Sequence, residues 1–195
     1  MEANTSNWLL KYPSGVKMDQ LFKDYNLLKI LNVFFDDPIK DFQLREISRI
    51  INLHHKSVLA YVKKLLELNL IKENKKTLYK SYNANTENLM FGKYKKSINQ
   101  IKIYESGLVV YLEEKIMPEC LILFGGYAKG TDIKTSDIDI FVKAKEEKIK
   151  LNKFEERLGR KIHLMFEENI NHLSNELKNN ITNGFVLSGY LRLFK

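Results

Sequence analysis

The segment 124–142, FGGYAKGTDIKTSDIDIFV, constrains the fold more than any other part of the chain. Just before its glycines, the apolar run CLILF at 120–124 predicts a buried strand that ends in a tight turn. Near its end, DIDIFVK at 137–143 alternates acidic with apolar residues and predicts a second strand. Because side chains alternate along a strand, Asp137 and Asp139 share one face, and the apolar residues between and after them face a core.

These residue types are suited to holding a metal ion and phosphate groups. Two carboxylates on one strand face can share a pair of divalent metals. Gly125 and Gly126 have no side chains, so a phosphate can approach the main chain beside them. The ammonium group of Lys129 can neutralise part of a triphosphate's charge. An ordinary acidic pair at the start of a strand would not account for the two glycines upstream.

The same residues resemble the nucleotidyltransferase superfamily that includes polymerase beta, and within it the minimal nucleotidyltransferases of prokaryotes. The shared pattern is an apolar residue, Gly, then Gly or Ser, a spacer, and Asp-apolar-Asp-apolar, and the resemblance extends over about 106–190. It implies that Asp137 and Asp139 are catalytic and hold Mg²⁺ or Mn²⁺. It also implies that an NTP is bound by Gly125, Gly126, Lys129 and Ser136. Minimal nucleotidyltransferases usually carry Ser and Arg where this chain has Gly126 and Lys129.

A third position departs further from the superfamily. These enzymes usually place another carboxylate on the next strand, here predicted at 161–166 (KIHLMF), where it helps activate the attacking hydroxyl. The matching residue is His163, which is expected to face the same site. A neutral histidine can ligate a metal or accept a proton, but it lacks the charge that helps hold a second metal. Glu167 and Glu168 either substitute for that carboxylate or form a solvated strand end, and whether the site is catalytic stays open.

Positive charge is concentrated in the first half of the chain. The whole chain has a net charge of +8, and the segment 54–80 alone carries seven Lys and two Glu. Such a focused excess is typical of a nucleic-acid-binding surface. Apolar periodicity predicts three helices, followed by two strand-like runs, at about 21–36, 43–51, 55–68, 70–73 and 77–82.

This order of elements, and the stretch from 44 to 82, resemble the winged helix-turn-helix family over about 21–85. The resemblance implies that the third helix enters a groove of double-stranded DNA, while the turn between the two strands meets the DNA backbone or the minor groove. The expected DNA contacts are Arg45, Arg49, His55, Lys56, Ser57, Lys63, Lys64, Lys75 and Lys76. Two alternatives are a protein-interaction module and a lysine-rich face that is simply solvated.

Together these observations predict a two-domain fold of the α+β or α/β class. We expect an N-terminal arm at 1–20, a winged helix-turn-helix domain of three helices plus a β-hairpin at 21–85, a linking helix at 86–105, and a nucleotidyltransferase-like domain with a small mixed sheet flanked by helices at 106–195. Further helices are predicted at 145–158 and near 171–182.

The linking helix is part of a longer helical stretch, 86–117, that Gly107 interrupts as a kink or a domain border. One apolar stripe of this stretch comprises Tyr94, Ile98, Ile101 and Leu108. Either it pairs with a second copy, which would give a homodimer, or it packs on its own domain.

Composition argues against a disulfide-stabilised secreted protein and against a membrane protein. A single cysteine, Cys120, cannot form an intramolecular disulfide, which favours a reducing compartment. No window approaches the about 18 consecutive apolar residues of a membrane span, and no secretory leader is recognisable at the N-terminus. We therefore expect a cytoplasmic protein of bacterial or archaeal origin that does not contact membranes.

The expected function is that of a DNA-binding, transcriptional-regulator-like protein whose nucleotidyltransferase domain binds Mg-NTP and transfers a nucleotidyl group to an unknown acceptor. The alternative is a catalytically inactive domain of the same fold that senses a nucleotide or binds a partner, as an antitoxin does. The resemblance also suggests a small helical partner of the HEPN type, because minimal nucleotidyltransferases pair with such proteins.

Overall fold

The computed structural model of the chain describes residues 24–74 and 79–192. The chain divides into two compact units, residues 1–85 and 86–195. The predicted arm at 1–20 and the predicted DNA contacts Lys75 and Lys76 lie outside the described residues. Within the described ranges, none of the helices combines the length and the apolar character needed to cross a membrane.

The first unit combines helices with a small antiparallel sheet. Its helices are α1 (Tyr25–Asp36), α2 (Leu44–Ile51) and α3 (His55–Glu67), and its strands are β1 (Phe42–Gln43), β2 (Ile71–Asn74) and β3 (Ser81–Ala84). The strand order is β1-β3-β2, and both pairings are antiparallel. The helices are bounded by local hydrogen bonds, since the Asp24 carboxylate accepts from the Leu27 N–H at the start of α1. Asn69, just after α3, takes a left-handed conformation with φ of 56°.

The second unit contains a mixed sheet with helices on both faces. Its helices are α4 (Leu89–Ser106), α5 (Leu108–Ile116), α6 (Gly125–Lys129), α7 (Asn152–Leu158) and α8 (Asn175–Thr182), with a 3₁₀ turn at Ile170–His172. Its strands are β4 (Cys120–Phe124), β5 (Ile138–Val142), β6 (Ile162–Phe166) and β7 (Phe185–Gly189). The order is β6-β5-β4-β7; β5 and β6 are parallel and the other two pairings are antiparallel. The predicted small mixed sheet is therefore confirmed.

Both faces of this sheet are covered, which decides where its polar residues can lie. One face packs against α4, α5 and α7 and takes Ile138, Ile140 and Val142 from β5. The other face, beside α8, buries Cys120 and Phe141. Burial raises the pKa of the Cys120 thiol to about 11. Because Asp139 alternates with the first set, it lies on the α8 side of the sheet, near the start of β5.

Two predicted helices are shorter than expected. The helix predicted at 145–158 begins only at Asn152, because residues 145–148 are all exposed and offer no apolar face for packing. The helix predicted near 171–182 begins at Asn175, after the 3₁₀ turn.

The stripe predicted on the long helical stretch is wrong in part. Gly107 separates α4 from α5 with φ of 78° and lies inside the second unit. Ile98 and Leu108 are buried within this unit, whereas Ile101 is 45% exposed. The stripe is therefore not one exposed face, and it gives the predicted homodimer no separate support.

Candidate active site

The two aspartates lie at the start of β5, beside the glycine turn. Asp139 is paired with Phe124, the last residue of β4, and its side chain is 31% exposed. Asp137 directly precedes β5 and is exposed. The antiparallel pairing of β4 with β5 thus brings Asp139 next to Gly125. Gly125 and Gly126 begin the short helix α6 where the sequence predicts a tight turn, and we call these two residues the glycine turn.

Gly125 is required by both conformation and space. Its φ is +73°, and a Cβ atom added here would lie 2.5 Å from Oδ2 of Asp139. The Asp139 carboxylate is therefore packed directly against the main chain of the turn. At Gly126, by contrast, the nearest atoms to an added Cβ are at 3.7 Å, so a serine fits, and the departure from the usual family pattern is sterically neutral.

This difference gives a matched pair of substitutions. We expect Gly125→Ala to displace the Asp139 carboxylate and to weaken metal-dependent nucleotide binding by about tenfold or more, since an alanine at positive φ adds strain to the clash. Gly126→Ser should bind like the wild type. Calorimetric titration of both variants with Mg²⁺ and NTP measures the contrast, and equal affinities would contradict the proposed role of the turn.

His163 faces the same site, as predicted from its alternation. It is the parallel partner of Asp139 in β6, and its Nδ1 lies 3.5 Å from Oδ1 of Asp139. The ring is 61% exposed, so an acceptor can reach it. Glu167 is engaged elsewhere, 3.3 Å from His172, so His163 rather than this glutamate is the third polar group beside the aspartates.

The remaining predicted nucleotide contacts occupy the two ends of the loop between α6 and β5. Lys129, the last residue of α6, is exposed and donates from Nζ to Oδ1 of Asn180 in α8 at 3.1 Å. Ser136 immediately precedes Asp137, and its hydroxyl accepts a hydrogen bond from the Ile133 N–H at 3.0 Å. Ser136 therefore closes the turn that leads into the aspartates.

A buried ionic cluster behind this loop was missed by the sequence reasoning. The side chain of Asp132 is 0% exposed and lies between Lys95 of α4 (1% exposed) and Arg160 (7% exposed). Its Oδ1 is 3.2 Å from the Lys95 Nζ, and its Oδ2 is 2.9 Å from the Arg160 Nη2. Asn99 completes the cluster by donating to Oδ1 of Asp132 at 2.8 Å and to the Tyr127 carbonyl at 2.9 Å.

A signal for this cluster is present in α4. Lys95 and Asn99 are one helical turn apart on the face that also buries Phe91, Ile98 and Ile103. Polar residues at buried helical positions need partners, which a pattern built only on apolar residues overlooks.

The donor set fits a metal that is bound together with a nucleotide rather than by protein alone. Among the described residues, no three His, Cys, Asp or Glu side chains converge to hold a metal ion. Mg²⁺ commonly takes only one or two carboxylates from the protein and completes its shell with phosphate oxygens and water. Asp137 and Asp139 can supply those two carboxylates.

The described candidates for DNA contact lie on α2 and α3 of the first unit. Arg45 and Arg49 are exposed on α2. On α3, the first-turn residues His55, Lys56 and Ser57 are exposed, and so is Lys63. Lys64 differs from these because its Nζ lies 3.6 Å from the Asp24 carboxylate.

Residues 106–188 match the family model described as nucleotidyltransferase domain. The chain therefore contains a nucleotidyltransferase domain, and the match includes β4, the glycine turn, both aspartates and His163. No curated protein and no solved structure matches the chain.

Proposed function

We propose that the nucleotidyltransferase domain binds an NTP with a divalent metal and transfers its nucleotidyl group to a hydroxyl acceptor. The observation that carries this proposal is the contact between the Asp139 carboxylate and the side-chain-free turn at Gly125. It supports the proposal because a carboxylate suited to a metal lies directly against main chain that a phosphate can approach. When bound, the metal would neutralise charge that develops on the phosphate oxygens.

The chain's own residues then have distinct roles. Asp137 and Asp139 hold the metal, and the glycine turn lets the triphosphate approach the main chain. Lys129 can leave its exposed hydrogen bond with Asn180 to pair with a triphosphate oxygen. The acceptor oxygen bonds to the α-phosphorus as the bond to the pyrophosphate oxygen breaks, and the hydroxyl proton passes to His163.

The test is transfer of label from α-labelled NTPs in Mg²⁺ or Mn²⁺, read on the protein itself and on added hydroxyl acceptors. If His163 accepts the proton, His163→Asp will lower the rate of transfer. If this variant is faster than the wild type, the missing carboxylate limits the reaction, and the proton-acceptor role of His163 is wrong.

A second candidate function is favoured by the histidine at this position. Without a third carboxylate, the domain would bind metal and NTP but transfer little, and would act as a nucleotide sensor or as a partner-binding, antitoxin-like module. A HEPN-type partner belongs to this second proposal. Saturable NTP binding without any label transfer would favour it.

We also propose that the first unit is a winged helix-turn-helix domain that binds double-stranded DNA. Among the described residues of this unit, α1, α2 and α3 are followed by the paired strands β2 and β3, and this order supports the proposal. Lys56, Ala60, Lys63 and Glu67 are all exposed on one side of α3, opposite the buried Val58, Val62 and Leu65. Lysine side chains in this position provide phosphate contacts, which carry affinity more than base specificity.

We expect Lys56→Glu combined with Lys63→Glu to weaken binding of duplex DNA by about tenfold or more at low salt, because each change removes a phosphate contact and adds repulsion. Lys145→Glu combined with Lys148→Glu, on an exposed segment of the second unit, changes the net charge equally and should have a much smaller effect. Fluorescence anisotropy with a labelled duplex at two salt concentrations measures both. If both double variants lose the same affinity for duplex DNA, the loss is due to net charge alone, and the assignment of DNA binding to α3 is wrong.

A further inference from the structure

We propose that Arg160 is a positioning residue that sets the geometry of the metal-binding aspartates through the loop 132–136. The inference rests on the proposed function, because it assigns Arg160 a role in the metal–nucleotide site. Arg160 lies in the turn between α7 and β6, and nothing in its sequence context marks it as part of that site.

The charges around Arg160 are unusual in a protein core. Two cations and one carboxylate, with side chains no more than 7% exposed, occupy the space between α4 and the loop. Removing such groups from water costs free energy, and apolar side chains of similar volume often give equal or greater stability. Stability alone therefore does not account for the cluster, whereas the need to hold a loop in one geometry does.

The guanidinium of Arg160 contacts both ends of that loop. Its Nη2 pairs with Asp132 at the start, and its Nη1 donates to the carbonyls of Ile133 and Ser136, the latter at 3.1 Å. The Ser136 carbonyl belongs to the peptide group that leads into Asp137. Because a peptide group is planar, fixing this carbonyl also fixes the direction of the N–Cα bond of Asp137.

Arg160 is itself held from two sides of the site. Its guanidinium lies 5.5 Å from the ring centroid of Tyr127, which is buried in α6 directly after the two glycines. The next residue, Lys161, accepts a hydrogen bond from the Ile138 N–H at 2.9 Å, at the point where β5 begins. The guanidinium of Arg160 thus contacts both the helix that begins with the glycine turn and the loop that leads into the aspartates.

Lysine can keep the charge of Arg160 but not these contacts. A guanidinium offers five donors in a fixed plane, whereas an ammonium is a point charge on a flexible stem. Arg160→Lys therefore keeps a positive charge beside Asp132 but loses the simultaneous hydrogen bonds to the two loop carbonyls.

The experiment compares Arg160→Lys with two controls in the full chain. Arg157→Lys is the matched change, since Arg157 also donates to a main-chain carbonyl, that of Ser106, away from the aspartates. Val109→Ala removes buried volume on α5 and reports what a loss of stability alone does. All variants are measured at a temperature at which each is fully folded.

The first readout needs no nucleotide. Amide hydrogen exchange followed by NMR reports on Ile133, Ser136 and Ile138, whose N–H groups bond within the loop or to Lys161. We expect exchange at these three amides to be at least about tenfold faster in Arg160→Lys than in either control. Wild-type rates in Arg160→Lys would overturn the proposal.

The second readout is the affinity for each of the four NTPs in the presence of Mg²⁺ or Mn²⁺, measured by calorimetry. We expect Arg160→Lys to weaken metal-dependent binding at least about tenfold while both controls bind like the wild type. Equal affinity in Arg160→Lys and the wild type would overturn the positioning role. If the wild type itself binds no NTP, the proposed function fails, and amide exchange still decides whether Arg160 orders the loop.

Discussion

Replacing Asp137 and Asp139 together with Asn will abolish metal-dependent binding of NTP, with a loss of at least about 100-fold. Changes in residues that only orient metal ligands typically cost ten- to a hundredfold, and these substitutions remove the ligands' charge itself. The amide side chains keep the shape of the carboxylates, and both positions are at least partly exposed, so the fold should survive.

The measurement is calorimetric titration with Mg²⁺ and NTP, accompanied by thermal unfolding of the same samples. Glu146→Gln combined with Glu147→Gln is the matched control, because it removes two exposed carboxylates from the same unit. Binding that survives the aspartate substitutions would place the metal elsewhere and contradict the site as described.

The largest effect on stability is expected at Asp132. Asp132→Asn leaves Lys95 and Arg160 side by side in the core without their shared carboxylate, and breaking a buried ion pair in this way typically costs about 3–5 kcal/mol. Adding Lys95→Met to Asp132→Asn removes one of the two cations and should recover part of that loss, which a double-mutant cycle will quantify.

Lys161→Met is the control for this series. Lys161 forms a 3.0 Å ion pair with Glu155 but is 77% exposed, and such surface pairs contribute about 0–1 kcal/mol. Denaturant unfolding of five proteins measures the differences: the wild type, Asp132→Asn, Lys95→Met, the double variant that completes the cycle, and Lys161→Met. If Asp132→Asn and Lys161→Met lower the free energy of unfolding equally, the buried cluster contributes no more to stability than a surface ion pair.

The central part of the second unit could be predicted from the sequence because its signals are local. The run CLILF and the alternating DIDIFVK each specify a strand without reference to the rest of the chain, and the structure places β4 and β5 there. At the glycines, where the sequence predicts a tight turn, the structure has the short helix α6. The placement of His163 opposite Asp139 also follows from alternation, once β6 is assigned.

The parts that could not be predicted depend on contacts between distant residues. Asp132 is paired with Lys95, which is 37 positions away, and with Arg160, which is 28 positions away. Its own neighbours give no periodic pattern, so it looks like an ordinary loop residue. The pairing is visible only after α4 and the turn after α7 have packed on the same loop.

The apolar stripe predicted on the stretch 86–117 is wrong in part for a related reason. A stripe drawn through Ile98 and Ile101 assumes that apolar residues mark the buried face. In the structure Ile101 is exposed while Lys95 and Asn99 are buried. Burying these polar groups costs free energy unless they are paired, and their partners lie outside the helix. The helix sequence alone therefore does not identify its buried face.

The parallel pairing of β5 with β6 limits how the length of this domain can change. Since side chains alternate along a strand, a slip of β6 by one residue would put Ile162 or Leu164 in place of His163 opposite Asp139. Insertions are therefore compatible with the site in the irregular segment 145–148, whose residues are all exposed and where extra residues can loop out into solvent. The short turn 159–161, where main-chain bonds tie Arg160 to Glu155 and Lys161 to Ile138, leaves no room for them.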